Sequence, residues 1–275
     1  MKGGNALLFR KFSLLVYALL ILIPVLVVVL TSIKTLSETF ANPLGLPEGG
    51  IRFDNYVAIF QEQTMAGYFM NSTIVTLFSV FFTLLFASMI AFGITRLGGW
   101  IGNALFALFT LGMMVPAQVI MVPLYSLMLD LGLTNSLIGL ILVNISTTLP
   151  IAVFILTGFM KTLPRELFEA STIDGAGNWQ IYTKVAVPLS LPSLSATAIF
   201  LFVMHWNDLL YPLLFITDNA YKTLPLALLE FQGQYATNYP MLFTGVIIAS
   251  APMVVAYVFL QRFFVAGMTA GAVKG

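Results

Sequence analysis

Two groups of side chains in this sequence have the types and spacing to do work. The first is the polar run KTLPRELFEASTIDGAGNWQIYTKVAVP at 161–188. Pro164 suits the first turn of a helix, where its missing N–H is no loss, and Glu166 complements the positive end of the helix dipole. Gly175 and Gly177 stop that helix. Asn178 is placed to cap a second one running through Trp179, Gln180, Ile181 and Tyr182 towards Pro188. Leu167, Phe168 and Ile173 put apolar surface beside Glu169 and Asp174. A short helix with apolar knobs next to carboxylates is suited to docking in a groove on a soluble partner. Taken alone, Glu169 reads equally well as a solvated surface charge. Phe168 and Trp179 are as well suited to packing the loop against neighbouring helix ends as to meeting a partner.

The second group is Asn207, Asp208 and Tyr211, which one helix would carry on one broad face. Asp208 is the one acid inside a long apolar stretch. Placing it at the centre of a membrane helix costs about 2.5–3.5 kcal/mol, so it must face water or a partner group. Two readings follow: this face lines a path for a polar solute, or Asp208 holds a hydrogen bond between helices. Neighbouring His205 reads as a structural hydrogen-bonder.

Other chemistry is excluded or disfavoured. There is no cysteine and one histidine, which removes disulfides, thiol catalysis and multi-histidine metal sites. No G-x-x-x-x-G-K-[ST] loop is present to cradle nucleotide phosphates. Ser193 and Ser195 share a stretch with His205. However, ten or twelve residues along a helix is about 15–18 Å, too far for proton transfer, and no G-x-S-x-G elbow occurs. No catalytic residue is expected.

The elements that must position these groups are membrane spans. Only 8% of the 275 residues are charged and 59% are hydrophobic, which belongs to lipid rather than water. The net charge of +1 gives no reason to expect nucleic acid. Six runs without Asp, Glu, Lys or Arg are each long enough to cross a bilayer core of about 30 Å. In hydrocarbon every backbone polar group needs an internal partner, so these runs are helices. The expected fold is an all-α integral membrane protein with six spans, at 12–33, 69–95, 103–129, 136–160, 189–217 and 240–263. Residues 1–68 form a first span and outer loop, and 69–275 a five-span core. Within the outer loop, Tyr56, Ile59 and Phe60 have helical spacing over 54–63, although an ordered loop fits as well. Tyr235, Tyr239 and Trp100 read as interfacial anchors. Nine of the twelve basic residues fall on one side if the N-terminus lies inside, among them Arg10, Lys11, Arg96, Lys161, Arg165, Lys184, Arg262 and Lys274. That bias places both termini and the 161–188 loop in the cytoplasm.

The 161–188 loop also resembles the EAA motif of ABC-importer permeases: Glu169, Ala170 and Ser171 take the first places, Gly175 follows at the motif's interval, and Val185, Val187 and Pro188 close it. Ser171 for Ala, and valines for Ile and Leu, are the departures. The chain further resembles the sugar branch typified by the smaller permease of maltose-type transporters. The landmarks are Asn71-Ser72, Pro123-Leu124-Tyr125, Leu131-Gly132-Leu133, Asn135-Ser136, Ile173-Asp174-Gly175, Trp206-Asn207-Asp208, Thr223-Leu224-Pro225 and the tail Gly271–Gly275. Leu97-Gly98-Gly99-Trp100 lacks a basic residue expected from relatives.

The resemblance implies a permease subunit in the cell (inner) membrane, moving a sugar handed over by an extracytoplasmic solute-binding protein. Its partners would be a second permease and two ATP-binding subunits. ATP and Mg would sit on those subunits, and no cofactor or metal on this chain. The loop would be the coupling helix, with Phe168, Glu169, Ala170, Ser171, Asp174 and Gly175 at the docking surface. A self-sufficient ion-coupled carrier is the rival, but it would want several intramembrane ionisable groups and leaves the loop without a task.

Overall fold

The computed structural model describes residues 2–61, 64–232 and 237–272, and side chains over 9–61, 64–232 and 237–259. Glu62, Tyr235 and the end of the tail at 273–275 lie outside the described residues, as do the side chains of Arg262 and the rest of the tail. No strand forms among the described residues, which hold only an isolated bridge between Gln232 and Thr237.

The chain divides into two compact units, Met1–Gly67 with Leu224–Pro252, and Tyr68–Thr223 with Met253–Gly275. In the first unit, α1 (Lys2–Ser32) is apolar all round beyond Lys11, and its most apolar stretch is almost entirely exposed. Such a helix belongs in lipid or against another membrane chain. It ends in a hook containing α2 (Leu36–Ala41), which opens with a reciprocal capping box between Thr35 and Glu38. Lys34 is buried beside it and donates to the carbonyls of Asn42 (2.9 Å) and Pro43 (3.3 Å). α3 (Asp54–Gln61) is a helix, not an irregular loop. Ile59 is buried and the Tyr56 hydroxyl meets Ser32 Oγ at 2.9 Å, while Phe60 faces outward, so the apolar face is narrower than the spacing predicts.

The second unit contains α4 (Met65–Leu97) from Tyr68 onward, α5 (Gly99–Gly112), α6 (Ala117–Asp130) and α7 (Leu137–Met160). These are followed by α8 (Arg165–Ile173), α9 (Asn178–Ile181), α10 (Val187–Leu189), α11 (Leu191–Trp206) and α12 (Leu210–Phe215). Beyond lie α13 (Leu224–Leu228) and the long α14 (Tyr239–Ala272), both beginning in the first unit. Among the described residues, four helices are long and apolar enough to cross a membrane, giving up to six spans if each of two bent pairs counts as one. This is an all-α, multi-pass membrane architecture.

Two of the expected spans are not straight helices. The 103–129 stretch breaks into α5 and α6, which meet at 91°. Pro116 starts α6: it has no N–H to extend α5, and it biases Val115 away from helical torsions. The 189–217 stretch is bent by 74° near Ser190 and broken again at 207–209. Pro188 has no N–H for the carbonyl four residues back, and the backbone answers with a π-helical segment over Tyr182–Ala186. Pro212 does the same to the carbonyl of Asp208, beside the interruption that separates α11 from α12. The expected single helical face of Asn207, Asp208 and Tyr211 therefore does not exist: Asn207 ends α11 and Asp208 stands in the break.

The core of this unit is built on α4 and α7. Ala87, Ala91, Phe92 and Ile94 meet Ala152, Val153, Leu156 and Met160, joined by Ile181, Tyr182, Ala186 and Leu201. Small residues bring the helices close. At Gly102 in α5 a Cβ would stand 2.6 Å from the carbonyl oxygen of Ile94, so no larger residue fits.

Candidate functional site

The hairpin at 161–188 is rooted in this core. α8 starts after Pro164, which takes the cap position rather than the first turn, and none of its residues is buried. It ends in a Schellman arrangement: the Gly175 and Ala176 N–H groups donate to the carbonyls of Thr172 (3.1 Å) and Ser171 (3.0 Å). Gly175 has φ +80°, the left-handed conformation that lets the chain reverse, whereas Gly177 is extended. Asn178 does not cap α9, because Gly177 holds that position. The Gly177 N–H is received instead by Gln180 Oε1 at 3.0 Å.

What the hairpin shows to solvent is a mixed surface. Leu167, Glu169, Ala170, Ile173, Asp174, Gly175 and Trp179 are exposed, and Ile173 retains 85% of its accessible surface. Ser171 is half-buried and bonds back to the Leu167 carbonyl at 2.7 Å. Phe168 resolves its two readings inward, packing on the core, while Trp179 lies over Tyr182 with its ring still largely exposed. Tyr182 is the anchor: its hydroxyl meets Ser88 Oγ on α4 at 2.8 Å and its ring packs against Phe92.

Sequence reading missed Arg96. Its guanidinium, at the end of α4, donates to Asn178 Oδ1 at 3.3 Å and to Thr172 Oγ1 at 3.5 Å, bridging both limbs of the hairpin to a membrane helix. A cavity of about 650 Å³ opens there, lined among others by Arg96, Lys161, Arg165, Phe168 and Glu169. Lys161 also sits over the Phe106 ring at 4.4 Å. The hairpin thus contacts α4 through Arg96 and Tyr182, and joins the core cluster that includes α7 residues.

Towards the opposite ends of these helices lies a second cavity of about 500 Å³. It is lined by the α5–α6 elbow (Gly112, Val115, Ala117), by α7 from Asn144 to Pro150, and by Met204, His205, Asp208 and Tyr211. Broken backbone at membrane depth persists where it lines a cavity or is covered by protein. Here the two breaks lie against α7, itself interrupted by Pro150. Asp208 Oδ1 accepts from the N–H groups of Leu210 (3.1 Å) and Tyr211 (3.5 Å), capping α12, and does not bond another helix. Its other oxygen is buried without a hydrogen-bond partner. His205 Nε2 lies 3.4 Å from Thr148 Oγ1, a structural contact on the cavity wall. Asn207 is outside this group: its amide bonds back to Val203 (2.8 Å) and approaches the Met253 sulfur. Asn144, Thr147 and Thr148 join instead, which sequence spacing could not reveal because they come from another helix.

Beyond the cavity, Asn135 organises the loop that closes these helix ends. At φ +51° its side chain accepts from the N–H groups of Thr217 (2.6 Å) and Asp218 (3.0 Å), and donates to Thr217 Oγ1 (2.9 Å). On the same side Asn71 donates to the carbonyls of Ala220 and Lys222, both at 2.9 Å.

A membrane-embedded helical body with a polar hairpin coupled to its core is the build of a transport permease. The chain belongs to the family of binding-protein-dependent transport system inner membrane components, whose model matches residues 83–270. It is similar to the melibiose/raffinose/stachyose import permease protein of Bacillus subtilis, 33% identical over 92% of this chain and 91% of that one. It is 35% identical to the multiple sugar-binding transport system permease protein of Streptococcus mutans, over 97% of both. Among solved structures, a bacterial ABC transporter involved in import of the acidic polysaccharide alginate shares the fold. The TM-score is 0.82 at 19% identity, covering 94% of this chain and 95% of that one. The chain is the permease subunit of an ABC importer, a transport component and not an enzyme.

Proposed function

We propose that this chain carries a sugar or oligosaccharide across the membrane, driven by ATP hydrolysis on partner subunits that dock at 161–188. The observation that carries the reading is the hairpin: exposed apolar side chains stand beside Glu169 and Asp174, while Tyr182 and Arg96 tie its base to membrane helices. An exposed apolar surface with a polar rim suits a protein interface. The partners are a second permease, two ATP-binding subunits that hold ATP and Mg, and an extracytoplasmic binding protein. Full-length relatives named for import of melibiose, raffinose and stachyose and of multiple sugars support a carbohydrate cargo. The clustering of Arg96, Lys161, Arg165 and Lys184 near the hairpin supports a cytoplasmic position for it and for both termini. In this reading Phe168 braces the hairpin from within, and Glu169, Ala170, Ser171, Asp174 and Gly175 form or shape the docking surface. Asp208 and Tyr211, with Asn144, Thr147 and Thr148, line the path, and Asn207 does not.

The test is purification of the tagged chain in mild detergent. The ATP-binding subunits and second permease are expected to copurify. Glu169→Lys is expected to release the ATP-binding subunits while the second permease stays bound. Uptake that persists with the 161–188 hairpin deleted would refute the reading.

A further inference from the structure

We propose that the cavity at the helix breaks is a subsite for a neutral, hydroxyl-rich sugar unit that disfavours anionic ones, with Asp208 as the group that sets this preference. The inference rests on the path reading above and narrows its cargo. The lining contains no lysine or arginine, and Asp208 is its only acid. Its neutral polar groups are Asn144, Ser146, Thr147, Thr148 and Tyr211. The Ser146, Thr147 and Thr148 hydroxyls donate to α7 carbonyls and so offer lone pairs to sugar hydroxyls, while the Asn144 amide carries both donors and an acceptor. A carboxylate or phosphate on the solute would instead call for guanidinium or ammonium donors, and His205 is the only basic side chain in the lining.

The second point is the state of Asp208 itself. One oxygen is committed to the start of α12, and the other is buried with no donor. An acceptor shut away from water without a donor is costly, and the cost is recovered when a donor arrives. A sugar hydroxyl supplies that donor once side-chain movement opens the oxygen to the cavity, and a uronate carboxylate cannot. A cavity of about 500 Å³ falls in the range that holds small ligands. For a second carboxylate held about 8 Å from Asp208, at an effective dielectric of about 20, repulsion disfavours the anionic unit about 30-fold.

The experiment uses the complete importer, this chain with its partner permease and ATP-binding subunits, in nanodiscs without the binding protein. Saturation-transfer NMR is recorded with raffinose and with trigalacturonate at equal concentration. Raffinose is expected to bind at least tenfold better. Asp208→Asn keeps a capping acceptor for α12 but removes the charge, and is expected to narrow the gap to within about threefold. Ser146→Lys places a cation on the same wall without touching Asp208, so it carries the test if Asp208→Asn fails to assemble. It is expected to favour trigalacturonate. Equal binding of both sugars to the wild type, or a gap unchanged in both variants, overturns the neutral-sugar assignment and leaves the path standing. No binding of either sugar overturns the path reading as well.

Discussion

Gly175→Ala separates a purely conformational role from a packing role at the hairpin turn. The residue has φ +80°, and a Cβ built on it has no heavy atom within 4 Å. Space is therefore free, and the whole penalty is the left-handed backbone, about 1–2 kcal/mol for a residue with a Cβ. If that cost falls on the docking-competent hairpin, its population drops about 5- to 30-fold, and apparent affinity for the ATP-binding subunits drops with it. The penalty should not grow with side-chain size, so Gly175→Leu is expected to match Gly175→Ala. Gly175→Asn, which tolerates this conformation, should lose less. The assay is titration of the purified ATP-binding subunit onto the permease pair in nanodiscs, read by fluorescence anisotropy. A loss that rises steadily from Ala to Leu, with Asn no better than its size predicts, would refute the reasoning and point to a crowded contact at this position.

Other perturbations follow from individual contacts. Asn135→Ala removes the side-chain bonds to Thr217 and Asp218 and leaves alanine at positive φ, so it should cost about 2–4 kcal/mol, read as a lower Tm of the purified complex. Gly102→Ala drives a methyl into the Ile94 carbonyl and should cost about 1–3 kcal/mol by the same measurement, with Gly102→Ser no better. The hydrogen bonds from Thr35 N–H and Oγ1 hold the Glu38 carboxyl below its ordinary value of 4.5. A depressed pKa contributes stability above the unfolded value that is lost as pH falls through the folded one. Protection of the 34–42 hook, taken as the exchange rate relative to the intrinsic rate at each pH, should accordingly fall below about pH 4.5. Thr35→Val, which removes the hydroxyl bond but keeps the larger backbone one, should weaken that dependence only in part.

Much of this protein follows from local chemistry. The charge-free runs identify a multi-pass helical membrane chain because hydrocarbon tolerates neither free backbone groups nor unpaired charge. The hairpin is legible for a similar reason. Pro164, Glu166 and Gly175 act on their own turn of backbone: α8 starts one residue later than the first-turn reading of Pro164 places it, and the chain reverses at Gly175. Pro116 and Pro212 stand in the sequence as well, but a proline in an apolar run is compatible with a kinked span or a broken one. The choice depends on whether neighbours satisfy the freed groups. Only tertiary structure decided that α5–α6 and α11–α12 break, and that both breaks line one cavity with Asn144, Thr147 and Thr148 of α7. It likewise separated Asn207 from Asp208, turned Phe168 inward, and assigned Arg96 to the hairpin across 76 and 82 residues of sequence. Helix periodicity records which way a side chain points along its own axis. It carries no record of which other helix stands opposite, and a cavity is made by both.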